Sequence, residues 1–226
     1  MDVSWHQPLL LAAAVTFAGL GSCEPGHGAP DPGPPPERRA LPEPQREGGA
    51  SLAHVLASRR SLRVFGARPL DDRELGQLLW AAQGVTDGHR AAPSAGALYP
   101  LTIRVVDARG VWRYDPIDHV VIRELGGDQR GAVADSSYGQ PAVRSAPVTL
   151  VISADITISA TKYGARAERF ATLEAGHVAE NVLLTVTSLG LGAVPVGAFD
   201  DDAVRHVVRL SKRVTPLYLI PVGSLP

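Results

Sequence analysis

Residues 166–189, RAERFATLEAGHVAENVLLTVTSL, constrain this chain more than any other stretch. They read as one long helix closed by Gly190, because glycine takes the left-handed conformation that ends helices. Along the second half, the apolar positions spread over most of the circumference instead of forming one stripe. Such a helix has to lie in a core or a subunit interface. It needs other layers around it, and the chain supplies strands. LTIRVVD (101–107), GVWRY (110–114) and HVVIREL (119–125) are β-rich runs, the first two joined by the turn DARG. PVTLVIS (147–153) is almost continuously apolar, as a central strand should be. AVPVG (193–197) and PLYLIPVG (216–223) read as further strands, and DDAVRHVVRLS (201–211) as a helix capped by Asp200 or Asp201. Mixed helices and strands of this kind predict an α+β or α/β domain.

Two more helices precede the strands. Ser51 can cap SLAHVLASRRS. Asp71 and Glu74 form a capping-box pair ahead of Leu75, Leu78, Leu79 and Ala82, which share one helical face, and Gly84 closes that helix. With 226 residues, 45% of them hydrophobic, the chain can build one sizeable core. Its 22 Lys and Arg against 23 Asp and Glu give no basic excess for a nucleic-acid partner.

The N-terminus reads differently. Residues 1–23 carry an apolar run of signal-peptide length ending in Leu20-Gly21-Ser22-Cys23, which resembles a bacterial lipoprotein signal with Cys23 as the lipidated residue. The segment before the run, MDVSWHQ, lacks the usual basic residues. Residues 24–49 are rich in Pro, Gly and charge and read as a disordered linker, which leaves 50–226 as the folded domain. This layout implies an exported protein tethered to a membrane only through its lipid. If the signal reading fails, the protein is cytoplasmic.

Several short motifs can carry chemistry. Arg59, Arg60, Ser61 and Arg63 gather guanidinium groups suited to phosphate. The loop RAAPSAGALYPL (90–101) has neither helical nor strand periodicity; Pro93, Ser94, Ala95 and Gly96 would let backbone approach a ligand closely. GLGAVPVGAFD joins a helix to a strand, the reverse of a dinucleotide-binding turn. Lys162 and Tyr163 form a possible acid–base pair. Glu174 and His177 lie three residues apart on the long helix and can share a face. Each has a plain alternative: a solvated basic surface, an ordinary loop, a helix cap, a buried hydrogen-bonded pair. No histidines stand at metal-ligand spacing, so no metal site is expected.

In order and spacing, RRSLRVF, LLWAAQGVTDGHRAAPSAGALYPL, KYGARAERFATLEAGHVAENVLL, LGLGAVPVGAFDDDAV and PLYLIPVG resemble the nitroreductase superfamily over residues 50–226. More narrowly they resemble its SagB-type branch, the thiazoline/oxazoline dehydrogenases. The resemblance implies a mixed sheet flanked by helices and an intertwined homodimer with FMN at the interface. It implies that Arg59, Arg60, Ser61 and Arg63 hold the FMN phosphate and ribityl chain. Pro93, Ser94, Ala95 and Gly96 would reach the flavin of the other subunit, and Pro195, Val196 and Gly197 would pack backbone near its N5. Lys162 and Tyr163 stand where azoline-oxidising relatives carry their catalytic pair, with Arg166 as a nearby cation. The implied activity is FMN-dependent oxidation of a small-molecule or peptide-derived substrate. The alternatives are an NAD(P)H-dependent nitro- or quinone reductase and a non-catalytic, lipid-tethered flavin-binding dimer. Two departures from the family pattern stand out. No Lys or Arg follows Arg213, which leaves the phosphate to the N-terminal arginines with Lys212 or Arg213. Glu180 replaces a common glutamine and calls for a basic partner, for example across the dimer.

Overall fold

A computed structural model describes residues 36–226. The signal segment expected over 1–23, with Cys23, and the first part of the expected linker lie outside the described residues.

In chain order the elements are β1 (Arg38–Ala40), α1 (Leu52–Ser58), α2 (Asp72–Gln83), β2 (Val85–Thr86), β3 (His89–Arg90), β4 (Leu101–Asp107), β5 (Gly110–Asp115), β6 (Val120–Gly126), α3 (Arg130–Ser136), α4 (Pro141–Ser145), β7 (Val148–Asp155), α5 (Ile156–Tyr163), α6 (Ala167–Ser188), β8 (Leu191–Ala193), α7 (Asp201–Val207) and β9 (Val214–Ser224). Seven strands form one sheet in the order β1-β6-β5-β4-β7-β9-β8. Every pairing in it is antiparallel, which narrows the mixed sheet expected. β2 and β3 make a separate hairpin.

β7 lies inside the sheet between β4 and β9, and all eight of its residues are buried. Its side chains alternate between two cores, as the period of a strand requires. Leu150, Ile152 and Ala154 join the core under α2 and α6. Val151 joins the opposite core with residues of α3, α4 and α7. α6 puts Ala171, Ala175, Val178, Val182 and Val186 into the first core, while Thr172, Leu173, Gly176, His177 and Glu180 face outward. Small and β-branched residues on the inner face let the helix lie close to the sheet.

The caps follow the sequence closely. Asp71 and Glu74 exchange both hydrogen bonds of a capping box at the start of α2, and Asp200 caps α7. Two expectations are corrected. The strand expected over 193–197 is confined to Leu191–Ala193, and beyond it only Val196 bridges to Leu219. Pro195 has no N–H to continue the ladder. The second half of the expected linker belongs to the domain: β1 pairs with β6, Leu41 is buried, and the Gln45 N–H donates to Gln77 Oε1 at 2.7 Å. A Pro-rich composition hid a strap held by main-chain pairing and one apolar anchor. Leu41→Ala is expected to cost about 2–5 kcal/mol, the ordinary range for a buried leucine, and to lower the melting temperature by about 4–20 °C. Thermal denaturation of the variant measures this, and an unchanged midpoint would show that the strap adds no stability.

Candidate functional site

The Arg59–Arg63 segment leaves α1 and runs beside the end of β8, where the Leu62 N–H donates to Ala193 O at 2.9 Å. It does not present its arginines as one cluster. Arg59 turns toward Glu180 of α6, at 3.8 Å, so Glu180 finds its basic partner within the same chain. Arg59 and Arg60, with Leu62, line a cavity of about 240 Å³ against Leu183, Gly190 and Leu191. Ser61 is half-buried between these arginines and Arg63, which is exposed. Arg63 lines a second cavity, of about 350 Å³, with Gln140, Pro141, Pro195, Val196 and Gly197. Two motifs more than a hundred residues apart in sequence therefore meet at one opening. There the Val196 N–H and C=O are both taken by Leu219, while the Gly197 N–H makes no hydrogen bond among the described residues. Arg213 lies with its Nε 2.9 Å from Asp155 Oδ2, and the rest of its side chain is exposed.

The loop after β3 is bent sharply. Gly96, Ala97 and Tyr99 all have positive φ, at 61°, 54° and 50°. Left-handed backbone at alanine and tyrosine is costly and has to be held by surrounding contacts. The contacts are specific. The Tyr99 N–H donates to Ser94 Oγ at 2.9 Å. The Arg90 guanidinium lies 5.1 Å from the centre of the Tyr99 ring. Asn181 of α6 donates to Ala81 O at 3.0 Å and to Ala91 O at 3.4 Å, tying helix and loop base together. Pro93 and Gly96 stay exposed, and Ser94 and Ala95 are half-buried.

Gly96 packs against the expected catalytic pair. A Cβ built there would lie 2.7 Å from Tyr163 Oη and 2.8 Å from Lys162 Nζ. Lys162 and Tyr163 occupy the last turn of α5, which Gly164 ends. Tyr163 is braced edge-on by Phe170, with ring centres 4.7 Å apart, and Lys162 Nζ sits 5.5 Å from the Tyr163 ring centre. The structure thus brings Gly96, Lys162 and Tyr163 together in one chain, while Arg166 is exposed.

Beneath the loop lies Glu174, only 2% exposed. Burial raises its pKa above the ordinary 4.5, against the opposing pull of Ser94, Gln83, Arg90 and His177. Arg90 also donates to Gln83 Oε1 at 3.2 Å, and burial lowers the pKa of its own guanidinium. Sequence reasoning singled out Glu174 but missed Gln83, Arg90, Tyr99 and Asn181. Gln83 left one readable sign: it is a polar residue just past the apolar face of α2 defined by Leu75, Leu78, Leu79 and Ala82.

Comparison with known proteins decides the family. The pattern of the Nitroreductase family matches residues 56–224. A nitroreductase-type protein of Methanocaldococcus jannaschii is 42% identical, across 76% of this chain and 90% of its own. The chain belongs to the nitroreductase family.

A nitroreductase-type protein of Ralstonia eutropha, known from its crystal structure, superposes with a TM-score of 0.77 at 33% identity, covering 84% of this chain and 90% of its own. The Escherichia coli microcin synthetase McbBCD complex, solved with truncated pro-MccB17, gives a TM-score of 0.67 at 23% identity, covering 80% of this chain and 75% of that one. At that identity the likeness is one of fold. Membership makes the chain an oxidoreductase of a family whose members typically bind flavin, are often dimers and act on small molecules.

Two outcomes follow for this nitroreductase-family site. Gly96→Ala should cost about 1–2 kcal/mol from left-handed backbone alone and push Lys162 Nζ aside; urea denaturation and a structure of the variant measure both. For Glu174, a raised pKa means that the folded state keeps a proton the unfolded chain has lost. Stability should fall as pH rises from 4.5 to the raised value and then level off. Glu174→Gln should remove that slope in denaturation midpoints measured from pH 4 to 8; a slope shared by both proteins would assign it elsewhere.

Proposed function

We propose that this chain is an FMN-dependent oxidoreductase of the SagB-type branch that works as a homodimer. The observation that carries the reading is the convergence of Arg63 with Pro195, Val196 and Gly197 on one cavity. The residues suit the cofactor. Arg63 offers a guanidinium group to a phosphate, and the unengaged Gly197 N–H offers a donor to a ring nitrogen. Bound there, FMN would supply the hydride-accepting centre, and the protein would position and tune it.

The cavity of about 350 Å³ is small for a whole cofactor, which fits a site completed by a second copy. Leu52 and Leu56 of α1 and Leu173 of α6 are exposed apolar side chains, 65%, 56% and 52% accessible, that a second copy would cover. In that dimer the Pro93–Gly96 loop would reach the partner's flavin. Lys162 Nζ would take the proton that the substrate loses as it is oxidised, with the Tyr163 hydroxyl beside it. Lys162 is exposed in one chain, so the desolvation that frees its amine has to come from the substrate or the second copy. A peptide-derived substrate is the reading we take from the SagB-type resemblance, and the McbBCD complex, solved with truncated pro-MccB17 bound, shares the fold. The relatives' designation as nitroreductases favours, as the second reading, an NAD(P)H-dependent nitro- or quinone reductase. For location we propose export and lipidation at Cys23.

The purified protein reconstituted with FMN should be a yellow dimer, and a preparation left colourless would refute the reading. Rapid anaerobic bleaching by NAD(P)H would favour the reductase instead. Lys162→Ala should keep FMN while turnover drops about 10²-fold or more; full turnover would remove Lys162 from the mechanism. Cys23→Ala should abolish membrane association, and a variant that still pellets with membranes would overturn the lipid anchor.

A further inference from the structure

α6 begins against a rule that this chain keeps elsewhere. A helix start carries partial positive charge, so acids suit its first turn and cations do not. α2 opens on Asp71, Asp72 and Glu74, and α7 on Asp200, Asp201 and Asp202. α6 opens instead on Arg166, whose side chain caps nothing, with Arg169 in the first turn beside Glu168. Arg166 and Arg169 are three residues apart and share a face. Glu168, two residues from one and next to the other, does not lie on that face. Lys162 stands in the last turn of α5, and only the turn Gly164–Arg166 separates the two helices. All three cations are exposed. Twelve other arginines of the described residues stand in ion pairs, whereas Lys162, Arg166 and Arg169 stand in none. Like charges gathered in this way repel one another. A local rule broken with no compensating contact marks a place kept for function.

We infer that Arg166 and Arg169 are the specificity-determining residues of the proposed reaction: beside Lys162, they take a carboxylate that the substrate carries near the bond being oxidised. This rests on the proposed role of Lys162 and names the substrate class of that site, an acidic peptide segment with Asp or Glu flanking the reacting position. Lys162 Nζ and Tyr163 Oη lie against Gly96, so the reacting bond comes to that edge of the molecule. Arg166 follows Lys162 by four residues and stands next to that edge. Two guanidinium groups on one helical face can grip a carboxylate through paired N–H donors, and no acid of this chain has to be displaced first. A bound carboxylate also offsets the repulsion among the three cations. Leu173, one turn further along the same face, is among the exposed side chains that a second copy would cover, so the anion site stands at the rim of the proposed dimer.

The test uses the FMN-reconstituted full chain and short dye-labelled Gly-Ser peptides that differ only in carrying Glu, Gln or Lys. Fluorescence anisotropy at low salt should show the Glu peptide bound about tenfold tighter than the Gln peptide, as a hydrogen bond between charged groups predicts. The Lys peptide should bind weakest, and the margin should shrink at high salt. The double variant Arg166→Gln/Arg169→Gln should lose the margin while keeping the parent's FMN affinity and dimer mass. Arg73→Gln, which removes an exposed arginine of α2, should leave the margin intact. Equal binding of the Glu and Gln peptides, or a margin that survives the double variant, would overturn the inference. Loss of FMN or of the dimer in the double variant would also overturn it, because the arginines would then serve the cofactor or the interface. A preference for NADPH over NADH that vanishes in the double variant, with no preference among the peptides, would assign the arginines to a nicotinamide phosphate and overturn the peptide reading. Should the double variant fail to fold, Arg166→Gln and Arg169→Gln singly should each remove part of the margin and decide the matter. Lys162→Ala with full turnover would defeat the catalytic reading alone, because peptide binding is read without turnover.

Discussion

The structure depends on how α6 is held against the sheet. Its inner face of Ala171, Ala175, Val178, Val182 and Val186 lies over β4 and β7 because those side chains are small or branched and leave no gap. Once that face is fixed, helical geometry sets the rest. Glu174 lies one turn before Val178 and is drawn inward with it, toward the end of α2 and the loop after β3. Asn181 reaches the carbonyls of Ala81 and Ala91. Glu180 faces outward and meets Arg59. One helix thus touches the base of the loop, the buried acid and the arginine segment. A volume change on its inner face would be felt in all three places.

The sequence made the periodic elements legible and left the irregular ones hidden. α2 with its capping box, α6, and the strands from β4 to β7 could be read because their apolar spacing matches one period and their ends carry turn residues. β1 could not, because three residues in a Pro-rich stretch have no period, and only pairing with β6 makes them a strand. α3 and α4 are seven and five residues long, too short for a helical stripe. β8 ended early because Pro195 outweighs the β-branched neighbours that suggested a longer strand.

The site divides the same way. Its residue types were legible as motifs, but the meeting of Arg63 with Pro195–Gly197 at one cavity is a product of the fold. What a sequence cannot carry is which contacts are already satisfied. Arg213 shares its charge with Asp155, which caps α5, and that pairing has no trace in the local sequence. The contact between Gly96 and Lys162 joins residues 66 apart and depends on a left-handed bend at three positions, two of them not glycine. Nothing in local propensity predicts such a bend at Ala97 or Tyr99, because it exists only by virtue of Ser94, Arg90 and Asn181.

The arginine segment shows how one carboxylate redistributes charge at a site. The Glu180 carboxylate lies 3.8 Å from Arg59, and both side chains are partly exposed. A pair in that setting contributes little to stability. Its larger effect is on where positive charge is available: Arg59 is partly neutralised, and the remaining positive potential shifts to Arg60 and Arg63. An anion approaching this segment is therefore drawn toward Arg63 and the Pro195–Gly197 opening, away from the outer face of α6.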